Sequence, residues 1–363
     1  MKSGVRILCV IMAAFMLLSF TSCSFLDKLM DNGQEAENTD NDPAGDPAAP
    51  KTLTRRPGVY TFMVINETAS AGSLSSLFIC ALDATESGSA SFLQINPGTY
   101  INNGGEYATL GALYSGVYSK AAADGINTDS ARIKAIEALR GAISSLMSIP
   151  VDYYVCMDPD RISEIASYLG GINVTIPFSL SLSDGSSLSA GTHTVGSSLG
   201  ALVTYSGFSA SSALDIYKLA YAGIIDKARS EITSANISLF AMAMRKNVIT
   251  DLPYSSGEDI FFIRKLLAVS SNDVCFTGAS SQGCGISSGF VYVVHRSLFC
   301  DQIKDFLKVY DDPDFSALFD ADQKLNDSTN VVVNTIYLAG GNLPVVYSLA
   351  AIKSGMLNLS FGG

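Results

Sequence analysis

Histidine is almost missing from this chain: His193 and His295 are the only two in 363 residues, and they lie far apart. No cluster of Cys and His has metal-ligand spacing, so neither a zinc centre nor a His-based catalytic triad has support. His193, in AGTHTV, reads as an exposed turn residue. Positive charge is also short, with 23 Lys and Arg against 34 Asp and Glu and a net charge of −11. Without a basic surface to neutralise phosphates, nucleic acid is excluded as a partner and anionic lipid headgroups are disfavoured. Charged residues of both signs make up 16% of the chain and hydrophobic ones 48%, which is enough for a sizeable core in one large domain, or a medium one with an appendage. No short internal repeat is visible.

The chain opens MKSGVRILCVIMAAFMLLSFTSC, with Lys2 and Arg6 ahead of an unbroken apolar run that is too short to span a bilayer comfortably. Its end, LLSFTSC, is similar to a bacterial lipoprotein signal, so residues 1–22 are expected to be removed and Cys23 to be acylated. That places the protein on the extracytoplasmic face of the cell membrane. Residues 23–56 are polar, acidic and rich in Pro, Gly, Asn and Ala, the composition of a disordered tether. Export gives the remaining cysteines a setting in which disulfides persist, and Cys275 and Cys284, bracketing FTGASSQG, form a candidate bridge; burial as thiols is the other reading. Cys80 and Cys156 sit in apolar strands and read as core.

From Val59 onward, strand patterns and helix patterns alternate. VYTFMVIN, LSSLFICALD and SASFLQIN read as strands, the last two joined by the turn ATESG. YATLGALYSGVYSKAAA and SARIKAIEALRGAISSLMS have helical periodicity, the second with Asp129 or Ser130 as its cap. In DPDRISEIASYLGG, Asp158 caps, Pro159 suits the first helical turn and Gly170 stops the helix. The order predicts an α/β fold: a layered α-β-α domain over 57–310, its central sheet mixed because of the early hairpin. Residues 311–363 read as an acidic linker and a small C-terminal strand-helix-strand unit.

The segment IPVDYYVCMDPDRISEIASYLGGINVTIPF, Ile149 to Phe178, resembles the LytR-CpsA-Psr family of cell-envelope proteins. The resemblance extends from about Tyr60 to about Tyr310, through LSAGTHTVGSSLGALVTYS and GFVYVVHRSLFCDQIKDF. It implies transfer of a phosphate-linked glycopolymer from a polyprenyl pyrophosphate carrier to peptidoglycan, with Mg²⁺. Such a reaction needs arginine forks, metal-binding carboxylates and an apolar groove for the lipid.

The charged groups are replaced here. An Arg-Ser-Asp-Thr run in relatives is met by Leu74, Ser75, Ser76 and Leu77, and Ile-Pro-Arg-Asp-Thr-Tyr by Ile95, Asn96, Pro97, Gly98, Thr99 and Tyr100. A Lys-Ile-Asn-Ala-Ala-Tyr helix start is met by Thr109 to Tyr114, a later arginine by Ser206, and a basic helix by SALDIYKLAY, which keeps Lys218. Arg132 and Arg140 read as solvent-facing charges on an amphipathic helix, and Arg161 and Arg229 as helix-end residues. The sequence therefore predicts no catalytic residue, no metal ligand and no cofactor. Thr99, Tyr100, Tyr114 and Tyr154 are the candidate lining of a surviving groove. The leading expectation is a lipid-anchored, catalytically silent relative that binds a polyprenyl-linked glycan, a wall polymer or an envelope partner. Two alternatives stand beside it: a phosphotransferase holding Mg²⁺ through Asp83, Glu86 or Asp215, and a structural or adhesive surface lipoprotein.

Overall fold

A strand whose two faces are both covered reads as a near-continuous apolar run, and VYTFMVINE carries one over its first seven residues, broken only by Thr61. It forms β1 (Val59–Glu67), followed by β2 (Leu74–Asp83), β3 (Ala90–Ile95) and a short hairpin of β4 (Tyr100–Asn103) and β5 (Glu106–Thr109). In this computed structural model the described residues are 54–311 and 343–362, apart from 87, 104, 105, 255, 256, 287, 288 and 358. Cys23, the expected signal and nearly all of the expected tether lie outside them.

Two helices come next, α1 (Leu110–Ala123) and α2 (Thr128–Met147). Thr109 caps α1 by accepting from the Ala112 amide at 3.1 Å, so the first residues expected in this helix belong instead to β5. The cap of α2 is Asn127, accepting from the Ser130 amide at 3.0 Å, two residues before the expected Asp129. Then come β6 (Tyr153–Met157) and α3 (Pro159–Tyr168), capped by Asp158 as the sequence predicts. Gly170 ends α3 at φ +79°, a backbone state that glycine adopts without a Cβ clash.

A polar-edged pair, β7 (Ile172–Ile176) and β10 (Gly191–Val195), encloses the two-residue strands β8 (Leu180–Ser181) and β9 (Ser187–Leu188). His193 lies in β10, in a strand rather than the expected turn. After α4 (Leu199–Val203), α5 (Ala210–Glu231) and α6 (Ile237–Lys246) the chain returns through β11 (Ile249–Thr250), α7 (Glu258–Ala268) and β12 (Val274–Gly278). A hairpin of β13 (Ser281–Ile286) and β14 (Gly289–Val294) leads to α8 (Arg296–Asp301) and a π turn over Gln302–Leu307, and β15 (Tyr347–Ser348) and α9 (Leu349–Lys353) follow.

The main sheet has the order β11-β6-β1-β2-β3-β12-β15. β1 is parallel to β6 and antiparallel to β2; β2 is antiparallel to β3; β3 is parallel to β12. The strands β6, β1, β3 and β12 therefore run the same way, and their carboxyl ends share one edge of the fold. Side chains alternate between two cores, as the period of a strand requires. Met63, Ile65, Leu77 and Ile79 pack against α1 and α2 on one face, and Val64, Phe78, Cys80 and Phe92 pack against α3, α5 and α7 on the other. Of residues 311–363, expected as an acidic linker and a small strand-helix-strand unit, 312–342 lie outside the described residues; in the remainder β15 pairs with β12, and Leu349, Ile352, Leu357 and Leu359 join the second core.

Cys275 sits in β12 as a free thiol that donates to the Asn272 carbonyl at 3.4 Å, so the expected bridge to Cys284 is not made. Cys284 falls in β13, which pairs with β14 in a separate hairpin. The reason is register: β12 is engaged on both edges, by β3 and β15, and has no edge left for β13.

At the opposite end of the sheet, Asp152 ties the start of β6 to the start of β1. Arg55 clamps its carboxylate with both terminal nitrogens, and the Thr61 amide donates to it at 2.7 Å. Burial alone would push this carboxyl up, but the hydrogen bonds from Arg55 and Thr61 and the Arg55 charge hold it below its usual range. A depressed carboxyl stabilises the fold above its unfolded pKa of about 3.9 and loses that contribution as the pH falls through the folded value. Asp152→Asn is expected to lower stability by about 1–3 kcal/mol at pH 7 in urea unfolding, and the deficit to shrink on titration below about pH 4.

Candidate functional site

In an open sheet of this kind, ligands bind beyond the carboxyl ends of the parallel strands, where loops diverge and backbone groups are free. Here that edge is formed by Asn66 and Glu67 of β1, Gln94 and Ile95 of β3, Met157 of β6, and Thr277 and Gly278 of β12, with α1, α2 and α5 beside it. The antiparallel β2 contributes its start, Leu74 to Leu77.

Glu67 is 1% exposed and fully engaged. Its Oε1 accepts from the Gly72 amide at 2.8 Å and the Tyr114 hydroxyl at 2.9 Å, and its Oε2 lies 2.8 Å from Arg132 Nε. Arg132 also approaches Asp129 at 3.4 Å and Asp158 at 3.6 Å. Burial opposes the guanidinium charge, yet the facing carboxylates, Glu67 foremost, hold its pKa above the ordinary value. Burial, together with the Glu67 charge, drives the Tyr114 hydroxyl strongly upward and the Cys156 thiol up to about 12, so both stay protonated. Arg132 was expected to face solvent and is 8% exposed instead. Arg140 is likewise engaged, paired with Asp251 and lying 5.0 Å over the Tyr154 ring. Arg161 pairs with Asp158 at 3.3 Å, and Arg229 bonds Ser271 and the carbonyl of Val269 just past the end of α7.

A second set of contacts closes the middle of the edge. Ser75 and Tyr217 share a hydrogen bond of 2.7 Å, and burial raises the Tyr217 hydroxyl to about 12. Gln94 donates to Ser76 and to the Leu214 carbonyl, both at 2.9 Å, and Tyr221 donates to Asn66 at 2.7 Å. Lys218, 6% exposed, pairs with Asp215 at 2.7 Å.

The N-terminus of α1 would ordinarily offer free amides to an anion. Its first three are consumed by the chain: Leu110 donates to Thr99 O at 3.0 Å, Gly111 to Pro97 O at 2.8 Å and Ala112 to the Thr109 hydroxyl. The Asn96-Pro97-Gly98 turn is thus a lid on a helix end. Asn96 braces it by accepting from the Gly98 and Thr99 amides at 2.8 and 2.9 Å.

Of the candidate groove residues, Thr99 and Tyr114 are fully buried, Tyr154 is 4% exposed and Tyr100 is half-buried. Tyr114 and Tyr154 belong to the core under α1 and α2, where they fill space. A cavity of about 180 Å³ lies on the other face of the sheet, and none of these four residues lines it. Asp83 and Asp215, weighed as metal ligands, stand at opposite ends of the sheet, Asp83 beside Arg56 and Thr85 and Asp215 beside Lys218. Among the described residues no three His, Cys, Asp or Glu side chains converge as a metal site, and no helix is long and apolar enough to cross a membrane.

Sequence reasoning passed over Glu67 and the burial of Arg132. A signal for the second was present: Arg132 falls in helical register with Ile136, Leu139 and Ile143, on the stripe that α2 buries.

Comparison with solved structures places this architecture. It is similar to TagV of B. subtilis at 16% identity and a TM-score of 0.57, over 70% of this chain and 100% of that one. It is similar to a transcriptional regulator from Enterococcus faecalis at 13% identity and 0.54, over 70% and 89%. A structure of TagT bound to LI-WTA aligns at 15% identity and 0.54, over 71% and 92%. At such identities the likeness is one of fold, and the fold is that of the LytR-CpsA-Psr proteins. No protein-family model matches the chain, and no curated protein matches it in sequence.

Removing one partner of a buried ion pair leaves the other charge uncompensated, at a cost of about 3–5 kcal/mol. Glu67→Ala is expected to lose stability on that scale in urea unfolding. The double variant Glu67→Leu with Arg132→Met should recover most of the loss, because apolar replacements leave no orphan charge.

Proposed function

We propose that this protein is a catalytically silent member of the LytR-CpsA-Psr family, held at the extracytoplasmic face of the membrane by a lipid on Cys23, where it binds a cell-wall glycopolymer or its polyprenyl-linked precursor. The observation that carries the silent reading is the state of the carboxyl-end edge. Each cation described there is already paired with a carboxylate, Arg132 with Glu67 and Lys218 with Asp215, and the leading amides of α1 are occupied by Pro97, Thr99 and Thr109. A transferring diphosphate needs donors aimed at charge that develops in the transition state, and losing an arginine that supplies them costs about 10³ to 10⁵ in rate. Freeing Arg132 for this purpose would strand Glu67 without a counter-charge in the core.

The binding half of the reading is supported by fold likeness, since TagT shares this architecture and has been captured with LI-WTA. The anchor is supported by LLSFTSC, with a small residue immediately before Cys23. The metal-dependent phosphotransfer alternative loses ground because Asp83 and Asp215 are not brought together.

Incubation of the protein with a polyprenyl pyrophosphate-linked glycan, Mg²⁺ and a peptidoglycan acceptor is expected to give no ligated product, while the labelled glycan co-purifies with the protein. Ligated product above a no-protein control would end the silent reading, and a glycan that never co-purifies would end the binding one. Mg²⁺ with inorganic pyrophosphate alone should leave the melting temperature unchanged, whereas a ligand present at 100 times its Kd adds about 2.7 kcal/mol of stability.

A further inference from the structure

Helix α6, ISLFAMAMRK, is apolar on every side over its first eight residues, with Ser238 the one polar group among them. A surface helix turns one apolar stripe inward, whereas a helix apolar all round is ordinarily covered all round. The inner stripe of α6 follows that rule: Ile237, Phe240 and Ala241 are buried, and Phe240 shares a small apolar cluster with Met244 and with Ile263 and Leu267 of α7. The outer stripe does not. Leu239 and Met242, one turn apart on the same face, are 60% and 61% exposed, and α7, packed against α6 through that cluster, exposes Phe261 as well.

The charges beside this stripe point to what covers it. Helix α6 carries no acidic residue and ends in Arg245 and Lys246. Lys246 is exposed one turn beyond Met242, Arg264 is exposed one turn beyond Phe261, and neither makes an ion pair with any described residue. Lys265 sits 5.8 Å over the Phe261 ring. The acidic groups of α7 and of the segment leading into it are all engaged: Asp251 by Arg140, Glu258 by the Tyr153 hydroxyl and Asp259 by Arg245. The net charge of −11 opposes an anionic surface at long range. Physiological salt screens charges over about 8 Å, so what such a surface meets at contact is set by the groups on α6 and α7.

We propose that the outer face of α6 docks on the anionic surface of a lipid bilayer, with Leu239 and Met242 entering the boundary between headgroups and acyl chains and Lys246 and Arg264 meeting lipid phosphates. An apolar face flanked by Lys and Arg is the pattern of a helix that lies in the plane of the interface, where it sinks about 5–10 Å. The inference rests on the membrane half of the proposed function and goes beyond it, since an anchor at Cys23 does not say which face the domain turns to the lipid. A flexible tether from Cys23 to Thr54 spans roughly 30 Å and holds the domain near the surface at an effective concentration on the order of millimolar, so a contact made by a few side chains is enough.

The chain has no Trp, so a single introduced one reports its own surroundings. Full-length protein carrying Met242→Trp is extracted from the membranes of the producing cells and reconstituted into vesicles of phosphatidylcholine and phosphatidylglycerol, with and without bromine near the top of the acyl chains. Phe290→Trp serves as the control, at a position 66% exposed on β14, outside the main sheet. Both replaced side chains are exposed, so the fold tolerates the change. Bromine should quench the Met242→Trp emission roughly twofold or more, as insertion to that depth requires, and should leave the control unchanged. Adding Lys246→Gln should lower the inserted-to-free ratio roughly fivefold, the worth of one basic residue at an anionic surface. Unquenched Met242→Trp overturns the proposal, and so does equal quenching of the control. A blue shift without quenching means that protein covers α6 and overturns it too. Quenching indifferent both to Lys246→Gln and to the omission of phosphatidylglycerol overturns the role of the cations. The mass of the purified protein reads the anchor separately. Protein acylated at Cys23 but unquenched keeps the anchor and loses the docking face, and protein without that lipid but quenched does the reverse.

Discussion

An ionised carboxylate shut inside a protein must be met by charge and by hydrogen-bond donors, and Glu67 imposes that demand at the end of β1. Arg132 answers from α2, Tyr114 from α1 and the Gly72 amide from the turn between β1 and β2. Those three contacts fix two helices and a turn against the carboxyl ends of the parallel strands. With α1 held there, its first two amides fall on the carbonyls of Thr99 and Pro97, and the edge where this architecture could grip an anion is closed. The closure is thus tied to the stability of the core, since opening the edge would expose or orphan a buried charge.

The two faces of the sheet have different fates. Under α1 and α2 the core is filled by Tyr114, Tyr154, Phe299 and a run of aliphatic side chains from β1, β2 and α2. Under α6 and α7 the small side chain of Ala241 and the spacing of the two helices leave room. Polar and apolar features are therefore separated in space: a neutralised polar edge at the strand ends, and an apolar cavity beside the middle of the sheet.

The early strands, the alternation of strands with helices and the capping of α3 by Asp158 were all legible in the sequence, because each rests on local chemistry: continuous apolar runs, a helical period, a carboxylate one residue before a proline. The disulfide failed because sequence proximity says nothing about which strand takes which edge, and β13 pairs away from β12. Nor was the docking of β15 on β12 legible: a two-residue strand has no independent stability and completes the sheet it finds.

Taken alone, the amino-acid sequence determined a mixed α/β domain and a net negative chain. It did so because composition and periodicity are properties of neighbouring residues. Only the tertiary structure decided that Arg132 turns inward to Glu67, that Tyr114 and Tyr154, expected to line a groove, fill a core, and that space remains between the sheet and α6 and α7. Each of these depends on which surfaces meet across distances of 65 residues or more, or on how far two helices stand apart, and no local pattern encodes either.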